Sequence, residues 1–196
     1  MTRAANLAAA VDLAVGVIRA TPAERYGDPT PCTDYTVADV VNHLAFGFLL
    51  AHHSATREPW PQEWSATDRA PFLRDLPESE WAEAAAKEGA ATAGGWADPA
   101  VWEGESHMGG APMPAAAIGA MMTGEFLVHA WDLARATGQP YDPPAELGEV
   151  ALEAMSGMAS MGRDAGWIGA EVPVPADAPA FRRALGVSGR DPEWSP

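Results

Sequence analysis

The stretch from Pro114 to Thr137, stopped by Gly138, reads as one long helix. About 24 residues at a rise of about 1.5 Å make ~36 Å, enough to run the full height of a helical bundle. Around its middle stand Met121, Met122, Phe126, Leu127, Val128, Ala130 and Trp131, so the helix looks into a core. Glu125, His129 and Asp132 stand in that apolar setting. Spacings of four and three residues place them on a single face. A carboxylate and an imidazole aimed inward need partners, because unpaired buried polar groups are costly.

Helix signals dominate elsewhere too. A first helix spans about Arg3 to Ala20, with Leu7, Val11, Ala14, Val15 and Ile18 at helical spacing, and stops before Thr21-Pro22. Its start has the outline of a signal peptide, but Asn6 and Asp12 interrupt the apolar run, which favours an amphipathic helix. Pro29, Pro31 and Cys32 lead into a second helix, where Thr36 is a good N-cap and Asp39 completes a variant capping box. That helix carries Val37, Val40, Val41, Leu44, Phe48 and Leu49, and reaches roughly His53. His43 sits on it with Gly47 one turn later. The glycine either leaves space for a bound molecule beside the imidazole or lets another helix approach closely.

A long connection, Ser54 to Leu76, contains Pro59, Pro61 and Pro71, and either crosses over the bundle or covers one end of it. Pro77 opens a third helix that Gly94-Gly95 closes, and an irregular stretch runs from Trp96 to Met113. Pro143-Pro144 start a fifth helix, with Leu147, Val150, Ala151, Ala154 and Met158 as its buried stripe and Glu146, Glu149 and Glu153 as its wet face. From Gly162 onward proline and glycine punctuate the chain, apart from a helical piece around Phe181 to Leu185. Short strand pieces are expected only near Val101 and Val172. The class is all-α. We expect one domain over 1–196, a helical bundle over 1–165 with a tail over 166–196 packed on it.

Twelve Lys and Arg against twenty-seven Asp and Glu give a net charge of -15. Such a surface repels phosphate backbones and anionic lipid, so neither nucleic acid nor membrane is an expected partner. No apolar run is long enough to span a bilayer. The single cysteine, Cys32, excludes an internal disulfide framework and suits a reducing cytoplasm. It is either a small buried residue ahead of a helix or a nucleophile. Trp60, Trp64, Trp96 and Trp102 would suit a substrate lid, ordinary packing or a homodimer contact.

A metal ion held by Glu125 and His129, and completed by His43 from the second helix, would satisfy the inward-facing groups. Two imidazoles and a carboxylate suffice for a catalytic ion with open coordination positions. Ligand type and abundance favour zinc, and the same arrangement also suits nickel or ferrous iron. Asp132, one turn past His129, either orients that ligand or pairs on the helix surface with Arg135. His107 is a spare ligand or a solvated loop histidine. The sequence has no glycine-rich phosphate loop, nucleophile elbow or zinc-finger spacing.

Three segments carry a resemblance. PTPCTDYTVADVVNHL, from Pro29 to Leu44, resembles the second-helix signature of DinB-like metal proteins, and more narrowly of the actinobacterial group related to mycothiol-dependent maleylpyruvate isomerase. EFLVHAWDLA, from Glu125 to Ala134, with ATGQP from Ala136 to Pro140, is similar to that group's metal-binding helix, and GRDPEW, from Gly189 to Trp194, to a common ending. The resemblance implies a four-helix bundle with a long crossover connection, an additional C-terminal helix and an irregular tail. It implies one divalent metal on His43, Glu125 and His129, and a low-molecular-weight thiol such as mycothiol as cosubstrate. The isomerase carries a further C-terminal domain that helps shape its active site, and this sequence ends at Pro196 without room for one. The expected activity is therefore metal-dependent thiol transfer to, or isomerisation of, some small electrophile. A hydrolase using metal-bound water, or a non-catalytic metal-binding stress or sensor protein, remains open.

Overall fold

A computed structural model describes residues 1–59, 73–108, 110 and 112–196. Six α-helices are present among them: α1 (Arg3–Ala20), α2 (Val37–Thr56), α3 (Glu78–Gly95), α4 (Ala115–Thr137), α5 (Ala145–Asp164) and α6 (Ala180–Val187). Their ends follow local chemistry. Thr36 accepts from the Asp39 amide while the Asp39 carboxylate accepts from the Thr36 amide, closing a reciprocal cap on α2. Pro77, Pro114 and Pro144 occupy cap positions one residue ahead of their helices, and Gly138, at φ +73°, ends α4 in the left-handed region.

Four helices close a ring. Helix α1 packs on α3 and α4, and α2 packs on the same two, so the order around the bundle is α1–α3–α2–α4. Each helix buries its apolar stripe against two neighbours. Because α2 and α3 are neighbours, the crossover does not fall in the long 57–77 connection, where residues 60–72, with Trp60, Trp64 and Pro71, lie outside the described residues. Two connections join helices that are not ring neighbours: α1 to α2, through residues 21–36, and α3 to α4, through residues 96–114. Between α3 and α4 a 3-10 turn (Pro99–Trp102) and a two-residue antiparallel ladder, β1 (Glu105–Ser106) with β2 (Met113–Pro114), carry the chain across. Val101 thus sits in a turn instead of a strand. Val172 joins no ladder; its amide bonds the Gly186 carbonyl.

Helix α4 is the central element. It touches α1, α2 and α5, which explains why sixteen of its 23 residues are buried. Helix α5 leans on α4 from outside and carries α6 on its other side. That double contact rotates its buried stripe to Leu147, Gly148, Ala151, Met155, Ala159 and Gly162, leaving Val150, Ala154 and Met158 half-buried at the edges. Trp96 and Trp102 are core packing and not a lid: their rings meet edge-on at 4.8 Å, and their indole N–H groups donate to the carbonyls of Ala51 and Trp96. No described helix is long and apolar enough to cross a membrane.

Candidate metal centre

Helices α2 and α4 meet along an aromatic and histidine seam. The Phe48 and Phe126 rings lie 4.8 Å apart, and a Cβ on Gly47 would come within 3.2 Å of the Phe126 ring. Gly47 therefore serves close helix packing and does not leave a void beside His43. That approach brings the His43 and His129 rings to 4.5 Å, edge to face.

Glu125 Oε2 stands 3.3 Å from His129 Nε2 and 3.9 Å from His43 Nε2. Donors bound to one ion at ~2.0–2.1 Å with angles between octahedral and tetrahedral are ~3.0–3.4 Å apart, so the three atoms are close to an ion-binding spacing with no rearrangement of the helices. The three sequence-predicted ligands are thus brought together from elements more than eighty residues apart. One side is open: the His43 and Glu125 side chains are 33% and 25% exposed, against 8% for His129.

Behind His129 the arrangement differs from the Arg135 pairing. Asp132 is fully buried and its Oδ2 lies 3.0 Å from His129 Nδ1. This contact is close but off the line of a straight hydrogen bond, as the i,i+3 geometry of one helix dictates. The charge partner of Asp132 is Arg190, 58 residues away, whose Nη2 and Nε donate to the two carboxylate oxygens at 3.0 and 3.4 Å. Arg135 turns outward and donates to the Trp194 carbonyl at 2.6 Å. A local i,i+3 pair would leave the Asp132 carboxylate on the surface, whereas burial against the tail requires a partner from the tail.

Cys32 is the second residue that spacing did not reveal. The Thr30 hydroxyl donates to the carbonyls of Cys32 and Tyr35, and folds 30–35 into a tight loop beside α4. The Cys32 sulfur and the ligand atoms of His129 and Asp132 lie within 4.8 Å of one another. Burial pushes the Cys32 thiol up to about 11, with Arg190 working against the rise, so it is no ready nucleophile. Tyr35 leans its ring over His43 at 5.4 Å. His107 joins neither group of donors among the described residues.

The electrostatics favour a cation. Burial works to raise the Glu125 carboxyl, but hydrogen bonding from His129 and His43 outweighs it and holds Glu125 well below the usual carboxylate range. Burial and the neighbouring His129 lower the His43 imidazole. His129 is raised, because Asp132 and Glu125 together overcome its burial. Asp132 is lowered: burial opposes this, and the Arg190 guanidinium prevails. Asp132 and Arg190 cancel, which leaves one carboxylate charge facing two imidazoles, a donor set suited to a divalent ion.

The model of the mycothiol maleylpyruvate isomerase N-terminal domain family matches residues 7–134. The chain is 30% identical over 135 residues to the uncharacterized protein Rv0738 of Mycobacterium tuberculosis H37Rv, and equally to the uncharacterized protein MT0763 of strain CDC 1551. The match covers 67% of this chain and spans 65% of the length of those relatives. Crystal structures of the mycothiol-dependent maleylpyruvate isomerase and of a histidine-to-alanine mutant of it share the fold at TM-scores of 0.61 and 0.60, with 16% identity, over 81% of this chain and 70% of theirs. Both donor-bearing helix segments, around His43 and around Glu125 and His129, fall inside the matched residues, and the chain belongs to the mycothiol maleylpyruvate isomerase N-terminal domain family.

Proposed function

We propose that the chain is a divalent-metal-dependent enzyme that adds or transfers a low-molecular-weight thiol of the mycothiol type on a small electrophile. The observation that carries this reading is the convergence of His43 Nε2 and His129 Nε2 on Glu125 Oε2 with one side left open. His43, Glu125 and His129 would hold the ion, most simply zinc. An ion bound there supplies Lewis acidity that lowers the pKa of a thiol or water at an open position. The family supports thiol over water. His43 and Glu125, the more exposed members, admit the reactants, while His129 sits on the buried side. Asp132 faces His129 Nδ1 and keeps the proton there, which leaves Nε2 free as a donor. Cys32 stays a reduced thiol in this reading, as in a cytoplasmic protein.

The test is a cobalt-substituted sample. Adding a small thiol should produce a sulfur-to-metal charge-transfer band, and His43→Ala or Glu125→Gln should abolish the band together with turnover of thiol and electrophile. A spectrum indifferent to thiol, or turnover that persists in metal-free protein, would overturn the proposal.

A further inference from the structure

The structure assigns a positioning role to Arg190: from the C-terminal tail it holds Asp132 against His129, and so aims His129 Nε2 at the point shared with His43 and Glu125. This rests on the reading of those three residues as a metal centre.

The backbone of the tail is arranged to deliver this one side chain. Helix α6 ends with the Gly189 amide bonded to the Gly186 carbonyl and the Arg190 amide bonded to the Leu185 carbonyl, a Schellman closure. It needs a left-handed residue, and Gly189 has φ +80°. A Cβ there would also meet Gly169 Cα at 3.0 Å and the Ala170 carbonyl at 3.2 Å. The turn sends Arg190 back into the bundle, where Nη2 and Nε grip the two oxygens of Asp132 and Nη1 donates to the Ser188 carbonyl at 2.8 Å. Asp132 Oδ2 is the shared atom, 3.0 Å from Arg190 Nη2 and 3.0 Å from His129 Nδ1.

Anchoring alone does not call for this chemistry. A buried ion pair adds little stability over apolar side chains of the same volume, and Arg135 already ties the tail to α4 through the Trp194 carbonyl. A carboxylate is one of the groups that orient a ligand imidazole through its other N–H, and a fully buried carboxylate needs a cation. Arg190 supplies that cation with a planar fork that also fixes the plane of the carboxylate.

The experiment uses the full chain with cobalt(II) as probe, its affinity measured by competition with a chromophoric chelator. Arg190→Gln and Asp132→Asn should each weaken binding roughly ten- to hundredfold, with the double variant no worse than either single one. Arg190→Lys should recover part of the loss. Arg135→Gln, which cuts the other tail anchor, should bind like the parent. In metal-free protein, 15N spectra of the His129 imidazole should change in Arg190→Gln and not in Arg135→Gln. Equal affinity and an unchanged His129 spectrum in a folded Arg190→Gln protein would overturn the assignment. Should Arg190→Gln fail to fold, the charge-balanced Asp132→Asn/Arg190→Gln variant carries the same comparison, and parent-like affinity there would overturn it. If the parent itself binds no cobalt, the metal-centre reading fails, and the His129 spectrum still tests the positioning on its own.

Discussion

Binding of a divalent ion should displace a proton from His129 and none from His43 just above the ordinary histidine value, because the two histidines shift in opposite directions. Glu125 is held below the ordinary carboxylate value of 4.5, so it is ionised throughout this range. His43 is lowered from 6.5 and is neutral at pH 7. His129 is raised from 6.5, so of the donors it keeps a displaceable proton to the highest pH. Ligands bind deprotonated. The logarithm of apparent affinity should therefore rise by about one per pH unit from roughly 6.5 to the raised His129 value, then level off; each unit corresponds to about 1.4 kcal/mol. Below that window the slope should steepen toward two as His43 takes up its proton. Chelator competition across pH gives the slope, and calorimetry in two buffers of different ionisation enthalpy counts the protons directly. A slope of two across the window would show both histidines charged and refute the opposed shifts. A flat profile would remove His129 from the ligand set. In Asp132→Asn the carboxylate that raises His129 is gone, so the window should move to lower pH.

Other consequences are independent of this count. Asp132→Leu leaves the Arg190 guanidinium buried without an anion and unable to shed its proton; the expected cost of about 3–5 kcal/mol lowers Tm by roughly 6–20 °C in a chain of this size. Scanning calorimetry should show most of that loss restored in Asp132→Leu/Arg190→Met, and a single variant melting within ~2 °C of the parent would contradict the pair's role. Gly119→Ala drives a Cβ to 2.4 Å from the Trp102 ring, so overpacking of about 1–3 kcal/mol outweighs its helix-propensity gain, whereas Gly157→Ala on the open face of α5 meets nothing within 4 Å and should stabilise by up to ~1 kcal/mol. Urea titration would show the two shifts with opposite sign. His129→Ala, or chelation of the parent, should empty the site while circular dichroism stays helical, because the buried stripes of the bundle do not involve the ion; unfolding on chelation would make the ion structural.

How much of this could be read from the chain depended on range. The cap at Thr36, the stop at Gly138 and the i,i+4 pair Glu125 and His129 are local, so spacing alone located them. His43 could be joined to that pair because it lies on an apolar helix with no local partner. Arg190 could not be found the same way. Nothing local distinguishes a tail arginine that will be buried from the exposed Arg182 eight residues earlier, and the i,i+3 rule pointed from Asp132 to Arg135 instead. The signal available was Gly189 ahead of Arg190 in the GRDPEW ending, a turn that aims one side chain inward. Whether the long connection after α2 crosses the bundle or covers one end stayed open in the sequence for a related reason. Connection length records how far the chain travels and not which helices end up side by side, and α2 and α3 are neighbours despite the long segment between them. The stripe of α5 was read for one partner, and contact with α6 turned it.

The most direct test of the centre is metal content after purification and after reloading with zinc. The parent should carry one divalent ion per chain. His43→Ala, Glu125→Gln and His129→Ala, each checked as folded, should retain roughly a tenth of that or less under the same chelating wash. A folded parent that takes up no ion, or three variants that hold it as the parent does, would contradict the account.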